Sequence, residues 1–147
     1  MNNKILLFIL ILFSCDSSLK ENEKIIDDIV LLSSKISEDP FNQNLLLERV
    51  NYNLSKDNIQ SAIYDLKKLI ELDSLNLEYK YMMAKNYFNL SKERNANQKY
   101  PDLTRNYLEN ILTLNKDHIK ANLLMGELML AYARFSNSIT YLEKSLE

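Results

Sequence analysis

Apolar residues return at intervals of three and four over most of the chain from residue 24 onward. Ile25, Ile29, Leu32 and Ile36 open the pattern, and Pro40 stands just past its end. That spacing gathers side chains on one face of an α-helix, so a helix is predicted over 24–38. A second pattern carries Leu46, Val50 and Leu54, and a third Ile59, Ala62, Ile63, Leu66, Leu69, Ile70 and Leu72. Lys56, Asp57 and Asn58 make the turn between them, with Asn58 placed to cap the helix that follows. Tyr79, Met83, Ala84, Tyr87 and Phe88 form the next stripe, and Leu103, Tyr107, Leu108, Ile111, Leu112 and Leu114 the one after. Between these two, residues 91–102 are polar and too many for a tight turn, and Pro101 suits the start of the later helix. Leu124, Met125 and Met129, then Ile139, Tyr141 and Leu142, complete the series. The chain has one glycine and two prolines, too few turn residues for a β-rich fold. The prediction is an all-α protein of about seven helices.

The stripes are not independent. Val50, Ala84 and Gly126 each sit midway along the first helix of a pair; the first two are 34 residues apart and the last two 42. The longer interval contains an eight-residue insertion within 91–102. Ala62 is also small, where the helices of its pair should cross closely. Gly126 is the only glycine, and mid-helix glycine costs roughly 1 kcal/mol relative to alanine. Close contact with a neighbouring helix accounts for it better than a turn does. A 34-residue period built from two helices resembles the tetratricopeptide repeat. Leu124-Met125-Gly126, Ala133-Arg134-Phe135, Ser138-Ile139 and Tyr141-Leu142 match that pattern best. The resemblance implies an α-solenoid of antiparallel helix pairs over 24–147. It would comprise a capping helix at 24–38 and repeats at about 41–76, 77–116 and 118–147. A plain helical bundle would share the stripes but not the recurring interval or the recurring small residue.

The start of the chain follows a different rule. Residues 5–13 are an unbroken apolar run of nine after a weakly basic start containing Lys4. A membrane-spanning helix needs about 20 such residues, whereas a signal-peptide core needs about this many. Leu12-Phe13-Ser14-Cys15 follows, and it resembles a bacterial lipobox, with Phe13 in place of the commoner small residue. The resemblance implies a signal peptide at 1–14 and lipidation of Cys15, with 15–23 as acylated cysteine and flexible tether. One acyl chain gives marginal membrane binding and several give firm binding, at roughly 0.8 kcal/mol per buried CH₂. Cys15 is the only cysteine, so an intramolecular disulfide is excluded. A secretory signal with an incidental cysteine is the competing reading. Asp16 follows Cys15, and sorting between membranes differs among bacterial phyla. The expected location is the bacterial cell envelope, lipid-anchored, with the outer membrane preferred to the inner.

Charge and chemistry narrow the functions. A net charge of −2 gives no basic field for nucleic acid. One histidine, His118, and one cysteine do not make a zinc site, and one glycine does not make a phosphate loop. Asp27 and Asp28 are helix neighbours that point apart. No catalytic residue, metal or cofactor is expected, and an enzyme is not. In tetratricopeptide arrays the first helix of each pair lines a concave groove. Carried over by spacing, the groove-facing candidates are Leu47, Asn51 and Leu54, then Tyr81, Lys85 and Phe88, then Leu123, Glu127 and Leu130. Aromatic anchors such as Tyr81 and Phe88 carry much of the energy of protein interfaces. The expected function is therefore a membrane-anchored scaffold that holds another protein or peptide in an envelope complex. Alternatives are an uptake accessory that captures peptide or glycan, and a secreted adaptor without lipid. Residue 147 falls inside the last predicted helix with no polar cap after it, which points to docking of that end on a partner or a second copy.

Overall fold

The computed structural model describes residues 29–93, 95–131 and 141–146. The expected signal peptide, Cys15, the tether, Asp27 and Asp28 lie outside them, as do Ala133, Arg134, Phe135, Ser138 and Ile139. Helix α1 occupies 29–38 and is followed by α2 (Gln43–Ser55), α3 (Ile59–Leu72), α4 (Leu77–Ser91), α5 (Tyr100–Leu114) and α6 (Ile119–Ala131). Residues 141–144 form a further helical turn, α7, and no strand occurs among the described residues. Each helix from α2 to α6 packs on its neighbour in sequence, and α4 also reaches α6. The result is a row of antiparallel helix pairs.

The first helix of each pair begins with a side-chain cap. Asn42 Oδ1 accepts from the amide of Leu45 at 3.2 Å, and Asn76 Oδ1 accepts from those of Glu78 and Tyr79 at 3.2 Å each. His118 Nδ1 accepts from the amide of Ala121 at 3.2 Å, so the single histidine sits at a helix start. These acceptors satisfy amides that the helix itself leaves free. Asn58 departs from the expectation. It occupies the position before α3, but its side chain turns back to Asn53 Oδ1 at 3.4 Å and caps nothing. Pro101 falls in the first turn of α5 as its geometry favours.

Two hydrophobic clusters form the interior. The first joins α1, α2, α3 and one flank of α4 through Leu32, Ile36, Leu46, Val50, Leu66, Leu69, Met83 and Tyr87. The second joins the other flank of α4 to α5 and α6 through Ala84, Phe88, Leu108, Ile111, Met125 and Leu128. Ala62 and Ala84 are wholly buried and Gly126 is buried too, as close crossing requires. The polar stretch after α4 is anchored by aromatic stacking. Tyr87 stacks on Tyr100 at 5.8 Å and on Tyr107 at 6.1 Å between centroids. Burial raises the phenol pKa of both Tyr87 and Tyr107.

One polar contact is built into this interior. Asp65 on α3 is 1% exposed, and Arg49 on α2 grips it with Nε and Nη2, each 2.7 Å from a carboxylate oxygen. Arg49 Nη1 also reaches Ser33 Oγ on α1 at 3.4 Å, so three helices meet at one guanidinium. The two-pronged geometry is the strong form of this contact. Arg49→Ala would leave a buried carboxylate unpaired, and it should cost about 3–5 kcal/mol in chemical denaturation. Arg49→Met combined with Asp65→Leu should recover much of that loss. Equal instability in the single and double variants would contradict this account.

Candidate protein-binding groove

The first helices of the pairs, α2, α4 and α6, share one face. Along α4, Glu78, Tyr81, Met82, Lys85 and Asn89 recur at three and four and line a cleft of about 500 Å³. Leu54 closes it from the end of α2, Asp57 from the following turn, Ile59 from the start of α3, and Lys120 from α6. Asp57 lies at φ 57°, in the left-handed region that aspartate tolerates better than most residues, and it turns the chain at the rim.

Tyr81 is the centre of this cleft. Its ring lies 6.1 Å from that of His118, centroid to centroid, and Lys120 Nζ stands 5.5 Å from the ring centre. Lys120 Nζ also reaches both oxygens of Glu78, at 3.0 and 3.1 Å, which ties α6 to α4 across the groove. Burial raises the Tyr81 phenol pKa, Lys120 pulls it down, and Glu78 and Glu127 push it up. Beside it, Asn86 is buried and donates to the carbonyl of Met82 at 2.8 Å. Lys85 is exposed and takes part in none of the ion pairs among the described residues. No three His, Cys, Asp or Glu side chains gather as metal ligands among the described residues.

Of the nine groove candidates, Leu54, Tyr81 and Lys85 line this one cleft. Glu127 lies close enough to act on the Tyr81 phenol. Leu123 and Leu130 are 43% and 42% exposed, and with Ile119 at 58% they make an uncovered apolar stripe along α6. Three candidates stand elsewhere. Phe88 is 3% exposed and belongs to the second hydrophobic cluster, with Lys92 Nζ 3.9 Å from its ring centre. The groove stripe continues from Lys85 by four residues to Asn89, not by three to Phe88. Asn51 lines a separate recess between α1 and α2, with Leu31, Lys35 and Glu48. Leu47 is half-buried against the first cluster. Lys120, Glu78 and Asn89 were not among the candidates; the spacing of Glu78 and Asn89 from Lys85 (seven before, four after) carried the signal for two of them.

The chain matches no protein-family model and no curated protein. Its fold has solved counterparts. A crystal structure of MamA superposes with a TM-score of 0.69 at 19% identity, over 86% of this chain and 70% of that one. A thermophilic TPR protein of Thermus thermophilus superposes with a TM-score of 0.64 at 14% identity, over 88% and 69%. At this identity the likeness concerns architecture, and the architecture is the tetratricopeptide-type α-solenoid that the 34-residue interval implied.

The arrangement around Tyr81 has a measurable consequence. Because Lys120 favours the phenolate, Lys120→Met should raise the Tyr81 pKa further above its ordinary value near 10. Glu78→Gln should lower it. Alkaline titration of the Tyr81 ring by NMR reads both, and shifts in the opposite directions would refute the geometry.

Proposed function

We propose that this protein is a membrane-anchored scaffold of a bacterial cell envelope that holds a protein partner in the groove of α2, α4 and α6. The observation that carries the reading is Tyr81, a half-buried aromatic fixed between His118 and Lys120 on an open face. A rigid aromatic with a polar tip binds a partner with little loss of conformational freedom. Lys85 and Asn89 beside it offer a cation and an amide, and Leu123 and Leu130 add apolar area on α6. The fold is one in which stacked helix pairs expose an extended concave surface. Lipidation of Cys15 supplies the anchor, and the polar residues 16–23 hold the groove off the membrane. The outer membrane is the preferred location.

Two measurements test this in the native host. After crosslinking, the wild-type chain should retain one stoichiometric protein partner. Tyr81→Ala with Lys85→Glu should lower its recovery at least tenfold, the equivalent of about 1.4 kcal/mol. Cys15→Ala should move the chain from the membrane to the soluble fraction. Undiminished capture by the groove variant would sink the scaffold reading, and a membrane-bound Cys15→Ala protein would sink the anchor.

A further inference from the structure

On the side of α4 turned away from the groove lies a lysine in an unusual place. Lys80 is 7% exposed, and its ammonium donates to the neutral amide oxygen of Asn110 on α5. The ion pairs among the described residues are Arg49–Asp65, Arg105–Asp102 and Lys120–Glu78, and Lys80 enters none of them. It opens instead into a recess of about 340 Å³ between the end of α3 and α5, lined by Ile70, Ser74, Lys80, Asn106, Tyr107 and Asn110. No acidic residue is among these. The stem of Lys80 is covered while its acceptor Asn110 is exposed, so the ammonium sits at the mouth of the recess, and a single amide oxygen satisfies one of its three protons.

The repeat explains how such a recess arises. Arrays of this type commonly place a tryptophan three residues before the Leu-Gly pair. Here Met83-Ala84 is that pair and Lys80 stands in the tryptophan's place; in the next repeat Asn122 precedes Met125-Gly126 in the same way. A slim side chain where an indole would sit leaves room between successive second helices. The recess at Asn122 has the same origin, but its lining includes Glu109 together with Lys116 and Lys144, so both signs of charge are present. The recess at Lys80 holds one positive charge and no negative one.

We propose that the Lys80 recess is a binding site for a carboxylate, unconnected with the groove. One ammonium matches one carboxylate charge, whereas phosphate at neutral pH would bring a surplus. Ser74, Asn106 and Asn110 can donate hydrogen bonds to the second carboxylate oxygen at the mouth. Ile70 and the Tyr107 ring give an apolar wall for the carbon chain behind it. The volume falls within the usual range for small-ligand sites. The carboxylate comes either from a free short-chain acid or from the end of a peptide.

The test is an NMR titration of the ¹⁵N-labelled full-length protein in detergent micelles at constant ionic strength. Sodium butyrate, inorganic phosphate, and a short peptide in free-acid and amidated forms are compared with chloride. Butyrate or the free-acid peptide should give saturable shifts at the amides of Ser74, Asn106 and Asn110. Lys80→Met should weaken that binding at least tenfold while leaving Tyr81 and Lys85 unshifted. Asn110→Asp places a carboxylate beside Lys80 from within; it should raise the thermal midpoint and abolish butyrate binding, and it serves if Lys80→Met fails to fold. Tighter binding of the acid peptide than of butyrate assigns the site to peptide ends, and the reverse assigns it to free acids. Shifts that never saturate, phosphate binding as tightly as either carboxylate, or binding unchanged in the variants would overturn the proposal.

Discussion

Helix α4 is wedged between two hydrophobic cores. Tyr79, Met83, Tyr87 and Leu90 on one flank belong to the core shared with α1–α3, while Ala84 and Phe88 belong to the one shared with α5 and α6. A helix apolar around most of its circumference must be buried around most of it. Everything else follows from where the polar residues of α4 are allowed to lie. One narrow stripe remains for the groove, and that stripe is Glu78, Tyr81, Met82, Lys85 and Asn89. On the opposite side Lys80 interrupts the apolar surface. Two unlike polar features thus lie on opposite sides of one helix, separated by the packing that fixes both.

Much of the fold was legible because helical spacing and repeat spacing agree. The intervals between Val50, Ala84 and Gly126 located the crossings, and Ala84 is wholly buried where its position required. Pro101 located the start of α5 because its ring fits only the first turn. The groove was less legible, since one residue on a helix is a rotation of about 100°. Phe88 and Asn89 were one step apart, and hydrophobicity alone could not tell an anchor from a core residue. The two-pronged Arg49–Asp65 contact was hidden for another reason: it joins positions 16 apart, and nothing local marks either partner. Asn58 had the right identity for a cap but a competing acceptor in Asn53.

The polar stretch between α4 and α5 shows how an array absorbs added chain. Loop closure becomes only slowly less favourable with length, so eight further residues change stability little by themselves. What must be preserved is the approach of α5 to α4, and the tyrosine stack does that from the loop's far end. Tyr100 and Tyr107 both stack on Tyr87, one helical face of α5 meeting a single ring of α4. The packing of α5 on α4 is thus kept despite the added residues.

The tie between Lys120 and Glu78 differs in kind from these buried contacts. Both side chains are more than half exposed, at 57% and 53%. Such a pair contributes about 0–1 kcal/mol and is screened by salt. Close packing sets the floor of the groove and also its span from α4 to α6, because both helices share the second hydrophobic cluster, and the ion pair only bridges the rim. The pair is thus the exchangeable part of a groove whose walls are otherwise packed. An incoming charge can exchange for either member of the pair without disturbing a core residue.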